Sequence, residues 1–165
     1  MKTPTYLENT MIAVSALFAA VMLGFFYAYS FNVNLALLEV DGATYATVQS
    51  LLNENVRHAG FFVFFFGAAA VPLITLGVNW RHRRSVSFWL VAVAAVVYIF
   101  GIVVFTRSVN LPLNYYTESW NPQALPADWA DTRDSWNQAN AIRVATSGVT
   151  FLLYQAAFVV RSSGR

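Results

Sequence analysis

A chain of 165 residues that is 58% apolar and only 11% charged has too little polar side chain to wrap a water-soluble core. Its net charge of +2 carries no nucleic-acid signature, and the lack of cysteine excludes disulfides, thiolate metal sites and thioether-linked haem. A single integral membrane domain over 1–165 is the reading that remains.

Four stretches lack charged side chains: Asn9 to Leu38, Ala59 to Trp80, Ser85 to Thr106 and Val144 to Val160. Each is close to or above the ~20 residues that a helix needs to cross ~30 Å of hydrocarbon. Lipid offers the backbone no hydrogen bonds, so these stretches must be helices. The first span is predicted over 10–38, long enough to tilt or project, with Gly42 ending it. It reads as a retained span, because its apolar run is too long for a cleavable signal and no cleavage site follows before Tyr27. Gln49, Asn53 and Arg57 recur every four residues and share one face of a helix leading into a second span over 59–80. Pro72 is expected to kink that span. The third span is predicted over 86–109, with a break or bend at Leu111, which precedes Pro112. An extended loop rich in turn residues and aromatics, Trp120 to Trp129, leads to the last helix. Asp128 is placed to cap that helix, whose membrane part is predicted over 137–161. Ala16, Ala20 and Gly24, and the run Gly67 to Ala70, are expected at tight helix contacts. The predicted fold is an all-α, up-down bundle of four transmembrane helices.

Lys2, Arg81, Arg83, Arg84, Arg161 and Arg165 fall on one side of such a bundle, and most acidic residues fall on the other. The positive-inside rule then predicts a multi-pass protein of the cytoplasmic membrane with both termini cytoplasmic. The polar groups collect at the outer ends of the spans. Tyr27, Ser30 and Asn34 lie on the first, and Gln49, Asn53, Arg57 and His58 precede the second. Thr106, Arg107, Asn110 and Asn114 end the third, while Trp136, Asn137, Asn140 and Arg143 open the fourth. Up-down topology brings these ends together, so an outward-facing polar pocket is expected.

Each group also has a structural explanation. Asparagine between membrane helices often only joins neighbours, at about 0.6 kcal/mol apiece. Arg57 and Arg133 read as interface ion pairs with nearby carboxylates. Arg143 is harder to explain this way, since no acidic residue follows it. It requires an amide or backbone carbonyl, or the oxygen of a ligand. His58 has the right chemistry for a general base, and with Glu54 it makes only a weak metal pair, so no metal is expected.

The run Gly24-Phe-Phe-Tyr27-Ala-Tyr29-Ser30, the pair Gln49-x-x-x-Asn53 and the element Thr106-x-x-x-Asn110-x-Pro112-x-Asn114 form a familiar pattern with Trp129 and Trp136-Asn137-x-x-Asn140-x-x-Arg143. Across nearly its whole length the chain resembles the anthrone oxygenase-like integral membrane family, also catalogued as a domain of unknown function. The resemblance implies four membrane helices and oxidation of a small lipophilic aromatic, an anthrone, without a bound cofactor, because the substrate carbanion itself reduces oxygen. It further implies that Asn110, Asn114, Asn140 and Arg143 act as donors to an enolate oxygen, with Tyr27 and Trp136 as pocket walls. A proline often found near the end of the relatives' first helix is absent here, where Asn34 stands.

The expected catalytic residues are therefore His58, Arg143 and Asn114. The expected substrate-binding residues are Tyr27, Ser30, Asn34, Gln49, Asn53, Arg107, Asn110, Trp136, Asn137 and Asn140. The alternative is a non-enzymatic subunit that binds a small molecule or lipid within a membrane assembly, as a homo-oligomer or beside a partner subunit.

Overall fold

The computed structural model describes residues 5–163, and among these the only non-helical pairing is an isolated bridge between Asn121 and Ala124. Five helices carry the chain: α1 (Tyr6–Leu38), α2 (Gly42–Asn55), α3 (Ala59–Val78), α4 (Val86–Glu118) and α5 (Trp129–Ser163). Helices α1, α3, α4 and α5 are long and apolar enough to span a membrane. They stand in a ring in which α1 and α4 each touch both α3 and α5. Side chains such as Leu17, Val63, Ile74, Val96 and Leu152 are all more than half exposed around this ring. Water would not tolerate such a belt, and lipid requires it. The chain is a multi-pass membrane protein.

Local chemistry sets where the helices start. At α1, Thr5 and Glu8 form a reciprocal capping box, with the Thr5 amide donating to the Glu8 carboxylate at 2.7 Å. Asp41 caps α2 by accepting from the Thr44 amide at 2.8 Å, which holds its carboxyl below the usual carboxylate range. His58 Nδ1 and Ser85 Oγ accept from Phe61 and Phe88 and cap α3 and α4.

Several sequence expectations change here. Gly42 begins α2 rather than ending α1, which stops at Leu38. Its lack of a side chain is needed for contact: a Cβ there would lie 2.6 Å from Leu125 and 3.1 Å from Trp129. The helix carrying Gln49 and Asn53 ends at Asn55, so Arg57 falls beyond it and pairs with Glu118. No break occurs at Leu111, which keeps helical angles of −63° and −44°. A π turn over Thr106–Asn110 precedes it, and the Leu111 amide donates to Thr106 five residues back. That wider turn gives the Pro112 ring room, so the helix survives to Glu118. Helix α3 runs from Ala59 to Val78 with Pro72 inside it, as the sequence predicts. Asp128 does precede α5, but its carboxylate accepts from the Tyr116 hydroxyl at 2.9 Å.

The core is built from small residues and a few rings. Near the chain termini it comprises Ile12, Ala16, Ala19, Val91, Ala94, Tyr154 and Ala157; deeper, it comprises Met22, Phe26, Phe65, Ala68, Tyr98 and Ile102. Lipid removes most of the hydrophobic drive for helices to associate, so close packing must supply it. Gly67 meets that need by lying flat against the Phe18 ring, and Gly101 does so against Thr146. Gly24, expected at such a contact, faces open space. Gly67→Ala should therefore lower stability by about 1–3 kcal/mol through overpacking. Thermal unfolding in detergent checks this, with Gly24→Ala as a variant expected to show no loss.

The end of the bundle that carries the termini is closed by charge. Glu8, 3% exposed, sits between Arg81 (2.6 Å), Arg161 (3.4 Å) and His82 (3.4 Å). These residues tie the start of α1 to the α3–α4 turn and to the end of α5. The sequence reading used the basic residues only as markers of topology.

Candidate functional site

The polar ends of the spans do converge, at the end of the bundle roofed by α2 and the 119–128 loop. They form two connected sets of hydrogen bonds. The first begins at Tyr29, whose hydroxyl donates to Gln49 Oε1 at 2.5 Å. Gln49 donates to Asn53 (3.1 Å), and Asn53 donates to Thr117 Oγ1 (3.2 Å). Thr117 in turn donates to the Asn114 carbonyl at 3.0 Å, while the Asn114 side chain accepts from the Trp136 indole at 2.6 Å. The Tyr29 ring packs on Trp136 with centroids 4.5 Å apart, which closes the circuit among α1, α2, α4 and α5.

The second set is centred on Arg143. Its guanidinium donates to Asn140 Oδ1 at 2.7 Å and lies over the rings of Phe26 and Trp136, at 4.6 and 5.4 Å. Asn140 donates to the Phe26 carbonyl (3.1 Å) and to Ser30 Oγ (2.7 Å). That carbonyl lies just before a π turn over Tyr29–Val33 and also accepts from the Tyr29 amide, so Asn140 is its second donor. Ser147, one turn on, donates to the Arg143 carbonyl at 2.6 Å.

Arg143 is only 7% exposed, and among the described residues it has no carboxylate partner. Its Nε has no acceptor, and fully buried Asn110 uses neither end of its amide. Asn34 Oδ1, Thr106 Oγ1 and Asn137 Oδ1 are also buried without partners. A buried polar atom left unpaired costs about 1–3 kcal/mol, more when charged. Asn34, Thr106 and Asn110 lie in or beside the π turns of α1 and α4. At the other end of the bundle Asn9 Oδ1, Asn79 Oδ1 and Arg161 Nε are buried without partners too. At the roof, Tyr45 is wholly buried between Trp120 and Trp129, and burial pushes its hydroxyl well above the usual tyrosine range.

The sequence-predicted residues divide by position. Ser30, Gln49, Asn53, Asn114, Trp136, Asn140 and Arg143 belong to the two bonded sets, while Asn34, Asn110 and Asn137 are the buried amides with free atoms. Tyr27, at 53% exposure, turns away from the bundle interior against Phe31. Arg107 and His58 are exposed, and His58 is occupied through Nδ1 as the α3 cap. Sequence reasoning missed Phe26, Tyr29 and Thr117. A signal existed for Thr117, since it follows Asn114 by three residues on the stripe begun by Asn110. A signal existed for Tyr29 too, since it follows Phe26 by three residues and Met22 by seven on the buried stripe of α1.

Fold and site together define an α-helical multi-pass membrane protein with a buried amide and guanidinium cluster at one end. The model of the anthrone oxygenase family matches residues 54–153, more than half of the chain, and the chain belongs to that family. No curated protein and no solved structure matches it.

Proposed function

We propose that this protein is a cofactor-independent oxygenase that oxidises a small, lipophilic, anthrone-like aromatic at the Arg143 cluster. The observation that carries this reading is the guanidinium of Arg143, buried over two aromatic rings with no carboxylate partner among the described residues, at the end of the bundle where Asn110 is buried with both amide atoms free. Such a site favours an oxygen that becomes negative during reaction. A base removes a proton from the ring carbon opposite the substrate carbonyl, and the resulting enolate oxygen is held by Arg143 and Asn110. The enolate gives an electron to dioxygen, a carbon–oxygen bond forms, and the hydroperoxide loses water to leave a second carbonyl. One dioxygen thus yields one new C=O and one water. His82 lies at the far end of the bundle, so His58 is the imidazole available at this one, with Nε2 free of the capping role. Phe26, Tyr29 and Trp136 supply aromatic walls.

We place the protein in the cytoplasmic membrane with both termini cytoplasmic, because Arg81, Arg83, Arg84 and Arg161 gather at the terminal end. The site then faces the opposite side and receives its substrate from the membrane or from that side.

Oxygen uptake with an anthrone, in liposomes carrying the protein, tests the proposal against the spontaneous rate in empty liposomes. Uptake well above that rate is expected, falling at least about tenfold in Asn110→Leu. Uptake equal to that of empty liposomes would refute the oxygenase reading and favour a binding subunit.

A further inference from the structure

The lipid-facing side of α1 and α5 holds a groove that the site does not use. Its volume is about 310 Å³, and it is lined by Ala13, Ala16, Leu17, Ala20, Phe151, Gln155 and Phe158. Gln155 is the anomaly. It is exposed, and its amide makes no hydrogen bond to any described residue. It lies about 9 Å along the helix from Arg161, within the charge-free stretch Val144 to Val160. A primary amide that faces acyl chains there loses its water partners and gains none, which membrane proteins avoid.

We propose that the chain forms a symmetric dimer through this α1–α5 face, with the Gln155 amides of the two copies hydrogen-bonded across the two-fold axis. The occupant must present both a donor and an acceptor at that depth, because the amide carries both. An acyl chain presents neither. A second Gln155 presents both, and a two-fold axis sets each carbonyl against the other copy's N–H, so the polar group is its own complement. The alanine floor has the shape that such pairing needs. Ala13, Ala16 and Ala20 carry no bulk above Cβ, so a neighbouring helix can approach closely enough for side-chain amides to meet. Phe151 and Phe158 border the amide on its own helix and shield the bond from lipid.

The lack of native cysteine makes the test direct, because one introduced thiol can cross-link only to its counterpart. Ala13→Cys reports from inside the groove. Val93→Cys, at similar depth on α4, reports from a lipid-facing position outside it. With the full chain in phosphatidylcholine vesicles at high dilution, oxidation should convert Ala13→Cys, and not Val93→Cys, to twice its 18.4 kDa mass. Adding Gln155→Leu to Ala13→Cys should lower the cross-linked fraction roughly threefold or more. A monomer in every case would overturn the dimer and leave the groove to lipid. Equal cross-linking at both positions would mean random collision and overturn it too. Cross-linking of Ala13→Cys that is indifferent to Gln155→Leu would overturn the amide pairing.

Discussion

Arg143→Met should reduce catalysed oxygen uptake by about 10²–10³-fold while leaving the thermal midpoint unchanged or slightly raised. The two halves of this expectation have different causes. The guanidinium donates to Asn140 and lies over Phe26 and Trp136, but among the described residues it has no carboxylate partner and its Nε no acceptor. Holding that charge away from water therefore costs stability, and an apolar side chain of similar length relieves the cost. The charge is worth keeping only if something else uses it, and a developing enolate oxygen would do so. Oxygen uptake and thermal unfolding on the same preparation separate the explanations. A large fall in midpoint with unchanged uptake would make Arg143 an anchor of the bundle.

Glu8→Ala should show the opposite pattern, with stability lower by about 3 kcal/mol and uptake retained below the new midpoint. Glu8 is the shared partner of Arg81, Arg161 and His82, and it also completes the capping box with Thr5. Its removal leaves the Arg161 side chain, 5% exposed, beside a second guanidinium with no carboxylate between them. The Arg81 side chain is 40% exposed and water screens part of its pairing, so the loss belongs at the low end of the range for buried pairs. Thermal unfolding in detergent reads the first part, and uptake by the folded variant reads the second. Loss of uptake in a variant that remains folded would connect the two ends of the bundle functionally.

Much of the architecture was legible because lipid imposes simple rules. A charge-free run of sufficient length has to be a helix, and short connections force neighbouring spans to alternate direction. The polar end was legible for the same reason: Asn110, Asn140 and Arg143 are too costly in hydrocarbon to face outward. The side-chain inventory was less legible. Tyr27 was placed inside by three- and four-residue spacing from Ser30 and Asn34, and it faces out. Phe26, Tyr29 and Ser30 share the inner face at ordinary three- and four-residue spacing, which continues the buried stripe of Ala19 and Met22. Likewise, Pro112 suggested a break that the π turn over Thr106–Asn110 absorbs.

Membrane class, number of spans, the end at which polar chemistry collects and the family can all be read from the amino-acid order. All of these follow from composition, run length and local motifs. The tertiary structure decided what depends on partners distant in the chain. It brought Glu8 to Arg161, and it set Asn53 against Thr117 and Asn140 against the Phe26 carbonyl. It also left Arg143 without a counter-ion among the described residues and Gln155 exposed on the outside of the bundle. Which polar atoms find partners is settled only when helices meet, and the unpaired ones are what point to a ligand and to a second copy.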